Sequence, residues 1–196
     1  MRARDIMSTP AVTVSPDTPV KSAEAVLAHE GFTALPVLNE DDQLVGIVTE
    51  ADFVGDRFAV EFGNSPARRI GEMMTTSVQT ADVNADVVTL ARSMVRNGIR
   101  SMPVLDRGRV IGVVTRRDFL RVLARPDQLL ANDVRVRLAV FGEKDRWTVD
   151  VHDGEAMITD RFDSEADRQV ATVLAEGVPG VIRARCHVGE LAEGQT

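Results

Sequence analysis

The chain has 196 residues, 44% hydrophobic and 27% charged, which is ordinary globular usage and excludes long disorder and collagen-like repeats. Its 23 basic and 30 acidic side chains give a formal net charge of -7, which opposes sequence-blind binding to nucleic-acid backbones. Cys186 is the one cysteine, so no intrachain disulfide forms, and neither the opening MRARDIMSTP nor any later run has the apolar length of a signal peptide or membrane span; a cytoplasmic protein without membrane contact is expected.

In chain order, the first feature is a unit that occurs twice. DIMSTPAVTVSPDTPVKSAEAVLAHEGFTALPVLNEDDQLVGIVTEADF begins at Asp5 and EMMTTSVQTADVNADVVTLARSMVRNGIRSMPVLDRGRVIGVVTRRDF at Glu72. They match Met7 with Met74, Gly31 with Gly98, Pro36 with Pro103, Gly46 with Gly112, Thr49 with Thr115 and Asp52 with Asp118, with one residue fewer in the second copy's charged turn. Between Pro19 and Glu30, Val20, Ala23, Val26 and Leu27 fall at helical spacing and Gly31 closes the helix; Val87, Leu90, Ala91 and Met94 repeat this before Asn97 and Gly98. Two β-type runs follow in each copy, LPVL then LVGIVT and MPVL then VIGVVT, joined by turns at 39–43 and 106–109. A second helix starts after Thr49 and after Thr115. Each unit therefore reads β-α-β-β-α, and two units sharing a core predict an α+β domain over residues 1–124, with repeats at about 3–57 and 68–124.

Past this point the pattern changes. A helix is predicted over Asp127–Leu138, with 125–132 as linker and helix start, then a hairpin of 146–152 and 155–159 turning at Asp153 and Gly154. A helix over 164–175 with Ser164 and Asp167 as a capping box, a strand over 181–188 and a frayed tail over 189–196 complete a small αββαβ domain whose body is 133–188. Trp147 is expected to anchor its hairpin against the helices.

Each copy joins a Pro-Val after an apolar residue, a charged turn, and Gly-apolar-Val-Thr-x-x-Asp leading into a helix. Over about 3 to 124 this resembles a tandem pair of cystathionine β-synthase (CBS) domains, a Bateman module. The segment from about 128 to 188, which includes GEAMITDRFDSEADRQVATVLAEGVPGVIRARCHV, resembles a BON domain, with Asp160 where that family commonly has a second glycine. The resemblance implies a non-enzymatic sensor, homodimeric through the CBS pair, that binds AMP, ADP, ATP or S-adenosylmethionine between the repeats, with Mg2+ able to accompany the phosphates. It implies that occupancy is passed to the BON-like domain or a partner. BON domains are associated with envelope surfaces, but residues 125–196 carry nine basic and fourteen acidic side chains, so protein contact is expected rather than anionic lipid.

The Thr49–Asp52 and Thr115–Asp118 motifs have two readings. By the resemblance, the aspartate holds both ribose hydroxyls while the threonine and nearby amides face phosphate, chemistry that suits a carboxylate and a helix N-terminus. Alternatively each is a capping box. Charge separates the copies: from Arg92 to Arg121 there are eight arginines and two acids, whereas from Ala25 to Val54 there are six acids and no Lys or Arg. A phosphorylated ligand is therefore expected at the second copy, with Thr115 and Asp118 on ribose and phosphate, Arg100 and Arg116 neutralising charge, and Arg117 beside them. Thr49 and Asp52 form the first-copy set, where Thr33 is the uncharged counterpart of Arg100. Arg92, Arg96, Arg107, Arg109 and Arg121 are read as a solvated face or as pairing across the dimer with the acidic first copy. Val12, Ile47, Val78, Met102 and Val113 are candidates to flank adenine, each also explicable as core.

Catalytic arrangements are not indicated. His29, His152 and His187 are scattered, and Cys186 and His187 would point to opposite faces of a strand. The rival to the sensor is a ligand-independent dimeric scaffold whose BON-like domain recruits a protein or membrane component.

Overall fold

The structure is a computed structural model that describes residues 1–59, 67–142 and 145–189. By its internal contacts the chain divides into two units, Arg2–Phe119 and Leu120 onward, with the division inside one helix.

In the first unit, repeat one contains α1 (Val20–Glu30), β1 (Ala34–Leu38), β2 (Leu44–Thr49) and α2 (Glu50–Ala59). Repeat two contains β3 (Ala81–Asp82), α3 (Val87–Arg96), β4 (Ser101–Asp106), β5 (Arg109–Thr115) and α4 (Arg116–Leu123). Helix α1 buries Val20, Ala23 and Leu27, and Gly31 ends it in the left-handed region at φ 68°, a conformation that glycine adopts without a Cβ penalty. In α3 the Asp86 carboxylate accepts the Thr89 amide while Val87, Leu90 and Met94 turn inward. That amide bond holds the Asp86 carboxyl below the usual carboxylate range.

The leading strands are shorter than the β-α-β-β-α reading suggests. β3 pairs with β4 in parallel over two residues, and its counterpart in repeat one is a single parallel bridge between Val14 and Val37. Pro16 follows Val14 and has no N–H with which to extend the ladder. The hairpins are regular, each with a bulge, after Val37 and after Val104. Arg107 and Gly108 make the short second turn at φ 48° and 83°. In the longer first turn the Asn39 side chain accepts the Asp41 and Gln43 amides, which absorbs the extra residue.

The two repeats exchange their leading segments. Ser8 bridges Val113 of β5, and Thr75, its match in repeat two, bridges Ile47 of β2. Met7 consequently lies over Gly112 and Met74 over Gly46, which accounts for both matched pairs. A Cβ at Gly112 would meet the Ser8 carbonyl oxygen at 2.7 Å, whereas at Gly46 the nearest atoms all belong to the flexible Met74 side chain. Gly112→Ala is therefore expected to destabilise this unit by about 1–3 kcal/mol and Gly46→Ala by less, because backbone yields less readily than a methionine. Urea midpoints followed by far-UV circular dichroism check the order.

The second unit contains α5 (Asp127–Leu138), β6 (Trp147–His152), β7 (Glu155–Asp160), α6 (Glu165–Glu176) and β8 (Arg183–Val188), an αββαβ order. The sheet runs β6-β7-β8, with an antiparallel hairpin and a parallel β7–β8 pair joined through α6. The hairpin turns at Asp153 (φ 49°) and Gly154 (φ 76°), and the Asp127 carboxylate accepts both of their amides. Residues 125–132, expected as linker and helix start, supply Leu130 and Ala131 to the same core as Val134, Leu138, Val149, Ile158 and Ala175. Ser164 caps α6 by accepting the Asp167 amide. Most of the expected frayed tail, residues 190–196, lies outside the described residues.

Asp160, where a glycine would match the BON pattern, is 0% exposed and receives the Arg146 guanidinium on both oxygens, at 2.8 and 2.9 Å. Arg146 also donates to Asp167 at 2.7 Å and lies 4.4 Å from the Trp147 ring centre and 5.3 Å from that of Phe162. The Trp147 indole N–H donates to the Phe141 carbonyl, and the residue packs against the core. Burial would raise the Asp160 carboxyl, but the Arg146 hydrogen bonds and charge and the Phe162 amide outweigh it and leave the group below its ordinary range.

Candidate functional site

Both Thr-x-x-Asp motifs sit where a hairpin strand passes into a helix, and both close in the same way. Asp52 Oδ2 accepts the Thr49 amide at 2.7 Å and hydroxyl at 2.8 Å, and Asp118 Oδ2 accepts the Thr115 amide and hydroxyl at 2.7 Å each. The capping geometry is thus present in both copies. It occupies one carboxylate oxygen and orients the other.

The surroundings differ. Asp118 is 2% exposed, whereas Asp52 is half-buried and lines a cavity of about 490 Å3, within the range of small-molecule pockets. Repeat one supplies Thr49, Asp52 and Ile47 to this cavity, the exchanged segment supplies Thr75, Ser77 and Val78, and repeat two supplies Ile99 and Arg100. Thr33 and Ser101, side by side across the repeats with hydroxyls 2.7 Å apart, also line it. Among the described residues Asp52 Oδ1 accepts no hydrogen bond and the Arg100 guanidinium has no carboxylate within ion-pair distance.

The expected residues therefore group differently in space. Arg100 joins Thr49 and Asp52, and Thr115, Arg116, Arg117 and Asp118 do not line this cavity. Arg116 donates its Nε to the Ile99 carbonyl at 2.9 Å and Nη2 to that of Met94 at 3.4 Å, which ties it to its own repeat. Of the adenine candidates, Ile47 and Val78 line the cavity, Met102 is core at 2% exposure, and Val12 is exposed. The sequence reading missed Thr75, Ser77, Gln79 and Ile99. Thr75 was detectable as the match of Ser8, but only segment exchange brings it here.

A carboxylate with a free oxygen, flanked by hydroxyls, apolar side chains and one guanidinium, can bind a vicinal diol, a flat ring and an anion together. No cluster of His, Cys, Asp or Glu suited to a metal occurs among the described residues. In the second unit, burial and the nearby Asp160 charge push the Cys186 thiol up to about 11, so it is a poor nucleophile. The adjacent His187 is exposed and pairs with the Thr159 hydroxyl instead. No helix among the described residues is long and apolar enough to cross a membrane.

Comparison with known proteins matches the CBS domain twice, at residues 3–56 and 70–125. Hypoxic response protein 1 of Mycobacterium tuberculosis is 30% identical over 121 residues, 62% of this chain and 84% of that protein. Inosine-5'-monophosphate dehydrogenase of the same organism is 33% identical over 145 residues, 72% of this chain but 26% of the enzyme. An uncharacterised protein of Methanocaldococcus jannaschii is 28% identical over 120 residues, 61% of this chain and 42% of its own length. The chain thus spans less than half of the latter two.

Among solved structures, the CBS domain pair of protein MJ0100 in complex with 5'-methylthioadenosine and S-adenosyl-L-methionine superposes with a TM-score of 0.57 at 30% identity, covering 62% of this chain and 94% of that one. CBSX2 in complex with AMP gives 0.55 at 26% identity, covering 61% and 93%. With the family match spanning more than half of its residues, this chain belongs to the CBS domain family and carries a tandem pair, a Bateman module.

Proposed function

We propose that the chain is a non-enzymatic regulatory module that binds an adenosine compound, AMP, ADP, ATP or S-adenosylmethionine, in the cavity of Thr49, Asp52 and Arg100. The observation that carries this reading is that one cavity gathers a half-buried Asp52 and Arg100, which among the described residues have an unused carboxylate oxygen and no ion-pair partner respectively. Asp52 Oδ1 would accept from the ribose diol, Ile47 and Val78 would flank the base, and Arg100 would face the 5' substituent. The AMP and S-adenosylmethionine complexes of CBS-pair neighbours support the ligand class. Thr115, Asp118, Arg116 and Arg117 become secondary candidates, since Asp118 is buried and Arg116 is engaged.

Regulation requires the ligand to favour one arrangement of the protein over another. Helix α4 is the proposed relay. It is capped through Asp118, continues into the second unit, and is followed by Arg125, which donates to the Pro179 carbonyl and the Asp133 carboxylate. The second unit, BON-like in its αββαβ order, is proposed as the output, toward itself or a protein partner. A cytoplasmic homodimer through the CBS pair, with Mg2+ where the ligand is polyphosphorylated, belongs to the same proposal.

The scaffold reading draws support from the internal satisfaction of both motifs as caps. Isothermal titration of the full chain with the four compounds decides between them. Saturable binding with submillimolar Kd is expected, and heat no greater than dilution at millimolar concentration of every compound would favour the scaffold.

A further inference from the structure

The charges around the cavity set which adenosine compounds it accepts. Among the described residues its charged lining consists of two carboxylates, Glu50 and Asp52, and one guanidinium, Arg100, so negative charge exceeds positive; the other polar side chains are neutral hydroxyls and the Gln79 amide. Glu50 is exposed at the start of α2 and has no ion-pair partner among the described residues. At the matching position the second repeat carries Arg116, so the two motifs differ in charge where the cavity meets solvent.

We infer that Glu50 makes the cavity favour adenosine compounds bearing at most one phosphate, and that repulsion weakens the binding of di- and triphosphates. This rests on the proposed nucleotide site. A monophosphate can pair with Arg100, the single cation of the lining. Each further phosphate adds negative charge for which the lining offers no cation among the described residues, and it does so near the half-buried Asp52 and the exposed Glu50, whose repulsion acts most strongly at low ionic strength. Hydroxyl and amide donors can hydrogen-bond a polyphosphate but do not neutralise it. The acidity of the first repeat, largely offset by arginines elsewhere in the pair, thus acts locally as a filter on ligand charge.

Titration of AMP, ADP and ATP into the full chain at low ionic strength with EDTA tests this. Affinity is expected to fall along that series, with ATP about tenfold weaker than AMP, and the gap to narrow as salt is added. Glu50→Arg, which copies the second repeat's residue and lies at an exposed position, is expected to raise ATP affinity more than AMP affinity and so close or reverse the gap. ATP binding as tightly as AMP in the parent protein, or a Glu50→Arg variant with an unchanged AMP-to-ATP ratio, would overturn the charge filter and leave the nucleotide site standing. Failure of all three nucleotides and of adenosine to bind would instead overturn the site itself, and the filter with it.

Discussion

Replacing Arg146 by methionine is expected to destabilise the second unit by about 3–5 kcal/mol, the range for removing one partner of a buried ion pair. Asp160 is fully buried, and Arg146 supplies both of its charge-assisted bonds. Without the guanidinium a carboxylate remains desolvated, held by the Phe162 amide alone among the described residues. The same substitution removes the cation stacked near Trp147 and Phe162. Trp147 is the only tryptophan in the chain, so its fluorescence in a urea titration reports this unit selectively.

The effect has a defined pH dependence. In the parent the Asp160 carboxyl lies below its ordinary range when folded, so its stabilisation is complete above about pH 4, the unfolded value, and is lost as pH falls through the folded one. In Arg146→Met burial, the largest influence, is opposed only by the Phe162 amide and the Arg168 charge, so the folded value is expected to rise above the unfolded one and the charged carboxylate to be penalised at neutral pH. The difference between the two proteins should therefore be largest near pH 7 and shrink toward pH 3. A further Asp160→Asn change, which keeps an acceptor for the Phe162 amide, should restore much of the neutral-pH loss. An Arg146→Met protein whose urea midpoint matches the parent at pH 7 would show that the pair contributes nothing.

The largest expected effect on binding belongs to Asp52. Asp52→Ala removes the carboxylate proposed to accept from the ribose, and hydrogen bonds to a charged group contribute about 1.5–3 kcal/mol, so AMP affinity should fall roughly tenfold to a hundredfold. The substitution also removes the acceptor for the Thr49 amide. Asp52→Asn, which retains a cap acceptor, separates the two roles: it should recover thermal stability but only part of the affinity. Asp118→Ala should do the reverse, lowering stability through loss of a buried cap while AMP affinity stays within about twofold. Titration calorimetry with paired melting curves reads both quantities. If Asp118→Ala abolished binding and Asp52→Ala did not, the charge-based preference for the second copy would be the correct assignment.

Much of the architecture was legible because the chain states its pattern twice. Helix α1 ends at a glycine in the left-handed region, as the periodicity up to Glu30 implied, and the same holds near Gly98. In the second unit the Asp153-Gly154 turn and the Ser164 cap follow from local backbone preferences that need no tertiary contact. The exchange of leading segments was not legible. Ser8 finds Val113, and Thr75 finds Ile47, through backbone bridges, and the Met7–Gly112 and Met74–Gly46 contacts that go with them join residues of opposite repeats that sequence alignment does not pair. That exchange carries Thr75, Ser77 and Val78 to the cavity of the first repeat.

Both motifs form the caps that one of their two readings gave them, while the side chains around them group differently in space from their order in the sequence. Identical Thr-x-x-Asp caps have different burial, which depends on what packs over them. Net charge along a stretch of sequence did not reveal that Arg116 is turned to the Ile99 and Met94 carbonyls, or that Arg100 lies with Asp52. Asp160 stands where the BON resemblance expects a glycine, and only its contact with Arg146 shows why a carboxylate can occupy a buried position at the end of β7.

A crystal structure of the full chain soaked with AMP tests the central claim most directly. The account predicts one nucleotide per chain, with its ribose hydroxyls on the Asp52 carboxylate, its base against Ile47 and Val78, and its phosphate facing Arg100. Density for the nucleotide on Asp118 with the Asp52 cavity empty, or no nucleotide at a concentration that saturates binding in solution, would contradict it.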